Sequence, residues 1–172
     1  YACVPYLDGR GYVTYAFNIS GGMVVRWLRD QLALHLDEQA KRSGRYCLRG
    51  AITEAKGGNA YARQFVVLEK PIGEPVVVSG WSRAENVKAP ANPNDYSIYV
   101  DARCADGTWM FGQCALFRAG THDWERAEHV IVPRAPLLEL RVYAMFRNTT
   151  GTAWFDDFKI HRKSRPDEDL VP

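Results

Sequence analysis

The sequence predicts an all-β fold, an antiparallel β-sandwich of the jelly-roll kind with one short N-terminal helix. Three observations carry that reading. Short apolar runs recur at regular spacing from residue 45 to residue 161, many alternating apolar with polar residues. Gly, Pro, Asn and Asp punctuate the intervals between them. No strand–helix–strand rhythm and no internal repeat breaks the series, which leaves about eight strands for two packed sheets.

The elements follow in order. Tyr1 to Gly11 is loop-rich, and Tyr12 to Phe17 is a short strand-like run. Over 23–42, Met23, Trp27, Leu28, Leu32 and Leu36 recur near a 3.6-residue spacing, which predicts a helix closed by Ser43-Gly44. Arg45 to Arg49 is short and alternating. Arg63 to Leu68 reads as a strand stopped by Lys70-Pro71, and Pro75 to Arg83 as the next. Lys88 to Asp95, with two prolines and two asparagines, is a loop. Tyr96 to Cys104 and Trp109 to Phe117 flank an Asp-Gly turn as a hairpin, in which Cys104 would face Trp109 and Cys114 would face Tyr99. His122 to Val132, Leu137 to Phe146 and Thr152 to His161 complete the strands. One domain is expected over 1–162, its first 42 residues atypical. The charged stretch 163–172 is expected to be a tail or linker.

Composition excludes several classes. Hydrophobic residues are 47% and charged residues 24%, the balance of a globular domain rather than a disordered chain or fibre. No apolar run approaches the ~20 residues of a membrane helix. The net charge of +2 (22 basic against 20 acidic) gives no bulk electrostatic case for nucleic acid. No signal-peptide pattern is present and the first residue is Tyr1, so an excised domain or mature fragment is expected. Cys3, Cys47, Cys104 and Cys114 lack C-x-x-C spacing and read as unpaired small hydrophobes rather than zinc ligands. Asn18-Ile19-Ser20 and Asn148-Thr149-Thr150 match the glycosylation triplet, a pattern that also arises by chance.

The motifs of common catalytic machinery are missing: no G-x-S-x-G, no H-E-x-x-H, no phosphate-cradling glycine loop. A histidine with an acidic neighbour occurs at His122-Asp123, but adjacent strand residues point to opposite faces. No enzymatic activity is expected. Asp156-Asp157 is different, because two acids interrupt an apolar strand. One can face solvent. The other faces inward or toward the sheet edge, and needs either a calcium ion or the backbone amides of a neighbouring loop.

The run from Ser43-Gly44-Arg45-Tyr46-Cys47-Leu48-Arg49, through Val78-Ser79-Gly80-Trp81-Ser82-Arg83 and Asp123-Trp124, to Gly151-Thr152-Ala153-Trp154-Phe155-Asp156-Asp157-Phe158 resembles the carbohydrate-binding modules with a galactose-binding-like jelly roll. The resemblance covers residues 43–160. It implies a structural calcium held by Asp156 and Asp157. The family's Glu-bearing opening segment has no counterpart here, and Asp37 or Glu38 would have to substitute. It also implies a secreted or extracellular setting. Residues 12–30, with Gly21-Gly22 leading to Arg26-Trp27-Leu28-Arg29-Asp30, resemble a short stretch of sugar kinases of the FGGY type. No kinase activity follows, since the ATPase core of those proteins is absent.

Alternation places a set of rings and charges opposite the core positions: Trp81, Arg83, Tyr99, Asp101, Arg103, Tyr143 and Arg147. Such a face can stack a sugar ring and hold its hydroxyls, or serve as a solvated sheet with cross-strand pairs. The arginine excess favours acidic sugars. Trp154 is assigned to the core. The function expected is a non-catalytic carbohydrate-binding module that targets an appended glycoside hydrolase or lyase to a polysaccharide. Its partners are that glycan and a catalytic domain in the same parent protein, with no nucleic acid and no membrane. The alternative is a structural β-sandwich domain that binds no glycan.

Overall fold

The computed structural model describes residues 3–5, 12–14, 27–28, 34–54 and 58–170. β1 (Cys3–Pro5), β2 (Tyr12–Thr14) and β3 (Trp27–Leu28) form a small antiparallel sheet. The sandwich is built from the remaining strands. β4 (Leu34–Asp37), β5 (Cys47–Ile52), β7 (Val76–Val87), β10 (Gly120–Ile131) and β12 (Gly151–Arg162) make a five-stranded sheet in the order β10-β7-β12-β5-β4. β6 (Asn59–Ile72), β8 (Tyr96–Cys104), β9 (Trp109–Leu116) and β11 (Leu137–Arg147) make a four-stranded sheet in the order β6-β11-β8-β9. All pairings within both are antiparallel. Among the described residues no helix is long and apolar enough to cross a membrane.

The core lies between the sheets and follows the alternation. Val76, Val78, Ala84, Phe155 and Ile160 point in from one side, and Ile98, Val100, Leu140, Val142 and Phe146 from the other. Tyr96 packs edge-on against Phe146 and Phe155 at 5.6 and 5.9 Å. Its hydroxyl is paired with Ser82 Oγ at 2.6 Å, which also donates to the Trp154 carbonyl at 2.7 Å. That thread satisfies the hydroxyls of Tyr96 and Ser82 inside the sandwich, and burial pushes the Tyr96 phenol well above its ordinary range. The sheets approach closely at Gly80. A Cβ there would stand 2.4 Å from Phe158 and 2.9 Å from Ile98.

Four expectations are corrected. The described part of 23–42 is strand and bend, not helix. Leu32, Leu34 and Leu36 fit a two-residue period as well as a helical one, and the open edge of β5 selects the strand: Leu34 pairs with Gly50, whose missing side chain leaves room for it. The rest of the 23–42 assignment, with the strand-like Tyr15–Phe17, lies outside the described residues. Pro71 does not stop β6, because β6 is an edge strand and its free side needs no N–H. In the β8–β9 hairpin Cys114 does face Tyr99, but Trp109 faces Arg103 rather than Cys104, since a bulge between Val100 and Ala102 shifts the register by one. Last, a bulge in β12 replaces the expected in–out pair of acids. Asp156 sits opposite Trp81 and Lys159 opposite Ser79, so one residue is extra, and Asp157 takes it up at φ 49°. Phe155 and Phe158 both face the core while both aspartates turn away from it.

Cys47, Cys104 and Cys114 carry free thiols, as expected of small hydrophobes. Residues 163–170 return along β12: the Leu170 N–H donates to the Ile160 carbonyl at 2.7 Å, and its side chain packs against the core.

Candidate functional site

The outer face of the four-stranded sheet is built from alternate residues of its strands. On β6, Ala60, Ala62, Gln64 and Val66 turn inward, so Tyr61, Arg63, Phe65 and Val67 turn outward. On β11 Tyr143 stands at the centre, opposite Arg63 on one side and Tyr99 on the other. One step along, Arg141 is opposite Phe65 and Asp101. One step further, Glu139 is opposite Val67 and Arg103.

Rings and guanidinium groups interleave across this face. Tyr143 lies 5.9 Å from Tyr61 and 5.6 Å, edge-on, from Tyr99. The Arg63 guanidinium stands 4.5 Å from the centroid of Phe65 and 5.9 Å from that of Tyr143. Arg141 stands 4.2 Å from Trp109, which stacks nearly parallel on Phe111 at 5.7 Å. Phe111 is 65% exposed and Phe65 40%. Burial, then the charge of Asp101 and a hydrogen bond with it, pushes the Tyr99 phenol up to about 12, so it is a neutral donor at ordinary pH. Asp101 also accepts from the Gly112 N–H at 3.2 Å.

The seven residues expected to form one face divide between two. Tyr99, Asp101, Arg103 and Tyr143 share the face just described. Arg147, at the end of β11, is committed elsewhere: its Nε donates to the buried Asp95 at 2.7 Å, and Asn148 Nδ2 donates to the same carboxylate at 2.9 Å. Trp81 and Arg83 lie on β7, in the opposite sheet. They cannot join the others, because the outer faces of the two packed sheets point in opposite directions, and alternation does not tell which sheet a strand enters. The residues that sequence reasoning left out are Tyr61, Arg63, Phe65, Arg141, Trp109 and Phe111. The signal for the first three was present in the alternation of 60–67.

The outer face of the five-stranded sheet is covered around Trp81 and Trp154, while Arg126 and Glu128 of β10 stay exposed. Loop 38–46 folds over it and brings Arg42 onto Trp81, 3.7 Å from the ring centroid. Trp154 is buried, as expected, but on this outer side, flanked by Arg83 and Arg49 at 5.1 and 5.6 Å. Its indole N–H donates to Asp37 at 3.0 Å, the main reason the Asp37 carboxyl is held below its usual range.

The same loop answers the Asp156-Asp157 pair. Asp156 Oδ2 accepts the N–H groups of Arg42 and Ser43 at 2.9 and 3.0 Å, and its Oδ1 accepts the Asp157 N–H at 2.8 Å. Asp157 pairs with the Arg42 guanidinium and the Ser43 hydroxyl. These residues do not fit a calcium ion. A fixed cation already holds Asp157, backbone amides fill the acceptor sites of Asp156, and the Asp37 oxygens accept from Trp154, Gln39 and Ala40. Among the described residues no three His, Cys, Asp or Glu side chains gather as a metal site.

No family model matches the chain. It is 33% identical over 120 residues to the tRNA nuclease WapA of Bacillus subtilis strain 168, and equally to a tRNA3(Ser)-specific nuclease WapA of Bacillus spizizenii. The match covers 66% of this chain but 5% of each of those proteins, so the chain spans a small fraction of the curated relatives it matches. The expectation of no enzyme is thereby corrected: the sequence relatives carry the names of enzymes. Among solved structures, the C-terminal family 22 carbohydrate-binding module of Clostridium thermocellum Xyn10B superposes at a TM-score of 0.57 with 12% identity, covering 96% of this chain and 100% of that one. The CBM22-1 xylan-binding domain of Paenibacillus barcinonensis Xyn10C gives 0.52 with 18% identity, over 78% and 83%. The chain carries the antiparallel jelly-roll fold of the carbohydrate-binding modules.

Proposed function

We propose that the chain is a carbohydrate-binding module within a much larger enzyme of the tRNA-nuclease kind, and that it holds that protein on a glycan through the outer face of the four-stranded sheet. The observation that carries the reading is the ring-and-guanidinium platform centred on Tyr143, with Tyr61 and Tyr99 beside it and Trp109 and Phe111 toward the β9 edge. A pyranose offers an apolar face to such rings and a rim of hydroxyls to the adjacent phenols and guanidinium groups. The likeness to the xylan-binding module supports the fold's suitability for this task. Isothermal titration of the chain against xylohexaose, a hexagalacturonate and an unfractionated tRNA tests it. Saturable binding of either sugar supports the reading. Binding of tRNA alone, or of none of the three, overturns it.

A further inference from the structure

The charge balance of the platform points beyond glycan binding in general, and the inference rests on the reading just given. Around Tyr143 stand three guanidinium groups, Arg63, Arg103 and Arg141, against two carboxylates, Asp101 and Glu139. Both Arg103 and Arg141 lean on the one Glu139 carboxylate, at 3.3 and 2.9 Å. Asp101 is engaged by the Gly112 amide and the Tyr99 phenol. Arg63 has no carboxylate within ion-pair distance among the described residues. It is half-buried, with its guanidinium 4.5 Å from the centroid of Phe65 and 5.9 Å from that of Tyr143.

A guanidinium held over aromatic faces keeps its N–H edge available, and that edge matches a carboxylate in the two-pronged geometry that lysine cannot reproduce. A solvated arginine resting on rings would show the same stacking. The shared, insufficient acid beside it is what marks the site as short of one negative charge.

We propose that Arg63 pairs with a carboxylate on the bound sugar, so that this face takes glycans containing uronic acids. The sugar ring stacks on Tyr143 while its carboxylate reaches across to Arg63, and the phenol of Tyr99 donates to a hydroxyl.

The test is calorimetric titration of the chain and its Arg63→Ala and Arg63→Lys variants with hexagalacturonate and with xylohexaose, in low and in 150 mM salt (about one 8 Å screening length). Thermal midpoints confirm that each variant is folded. The expected result is at least tenfold tighter binding of the acidic hexamer, weakened on adding salt. Arg63→Ala loses at least tenfold for that hexamer and little for the neutral one, and Arg63→Lys restores only part. Equal affinity for the two sugars, or equal loss of both in Arg63→Ala, overturns the acidic preference and leaves the glycan reading standing. Binding of neither sugar by the parent chain overturns both.

Discussion

The Arg42 guanidinium lies over the Trp81 ring, 3.7 Å from its centroid, and pairs at the same time with Asp157. One side chain thus fastens loop 38–46 to two neighbouring strands, β7 through an aromatic face and β12 through a carboxylate. Arg42 and Asp157 are 115 residues apart in sequence, and their contact covers the Trp81 ring on the outer side of the five-stranded sheet.

Replacing Arg42 by Ala removes a partly exposed cation–π contact and a partly exposed ion pair. Together these are worth roughly 1–2 kcal/mol. A double-mutant cycle of Arg42→Ala with Trp81→Ala, measured by urea unfolding, should give a coupling of about 0.5–1 kcal/mol. A coupling of zero would show that the two groups are neighbours without interacting.

Because the Arg42 guanidinium neutralises Asp157 and backbone amides fill the acceptor sites of Asp156, stability should not depend on a divalent ion. The thermal midpoint should be the same in excess EDTA and in millimolar calcium chloride. A ligand bound only by the folded chain would raise it by mass action, so a midpoint several degrees higher in calcium sinks this account.

The legible part of the sequence was the part governed by alternation. β8 was bounded correctly at both ends because Ile98, Val100 and Ala102 alternate with Tyr99, Asp101 and Arg103 without interruption. Tyr99, Asp101, Arg103 and Tyr143 of the platform were legible for the same reason, although Arg141 on β11 was left out. What alternation cannot supply is which sheet a strand joins, and Trp81 was misplaced on that account. Bulges were also out of reach. Asp156-Asp157 reads as one acid in and one out until an extra residue turns both outward, and nothing in the residue types marks Asp157 as the one at positive φ. Arg42 was invisible as a partner because it lies 115 residues from Asp157.

Two of the acids in this region should answer pH in opposite senses. Burial is the main influence on Asp156 and raises its carboxyl above the reference 3.8, against the pull of the Ser43 and Arg42 amides. The folded state then holds more protons than the unfolded one just above pH 3.8, and Asp156 contributes less stability as pH rises through that window. Asp37 is lowered, first by the Trp154 indole. Its contribution is complete above 3.8 and is lost as pH falls through the folded value. Measured from pH 2.5 to 6.5, the stability of Asp156→Asn relative to the parent should rise with pH, and that of Asp37→Asn should fall. Parallel curves for the two variants would show that neither carboxyl is shifted in the folded state.

The two faces of the sandwich separate most sharply at Tyr143 and Trp81. Tyr143 sits at the middle of the four-stranded sheet's outer face, half-buried, with rings on both sides and the Arg63 guanidinium 5.9 Å from its centroid. Trp81 has its face filled by Arg42. Tyr143→Ala removes the central stacking surface without opening the core, which on that strand is filled by Val142 and Ala144. A stacking ring of this kind contributes on the order of 1–3 kcal/mol when truncated at a binding surface, so the affinity for the sugar that the parent binds should drop about tenfold or more at an unchanged fold. Trp81→Ala should cost stability through loss of its loop contact and leave affinity within twofold. Reversal of that pattern, with binding lost in Trp81→Ala and kept in Tyr143→Ala, would move the glycan site to the five-stranded sheet and require loop 38–46 to open.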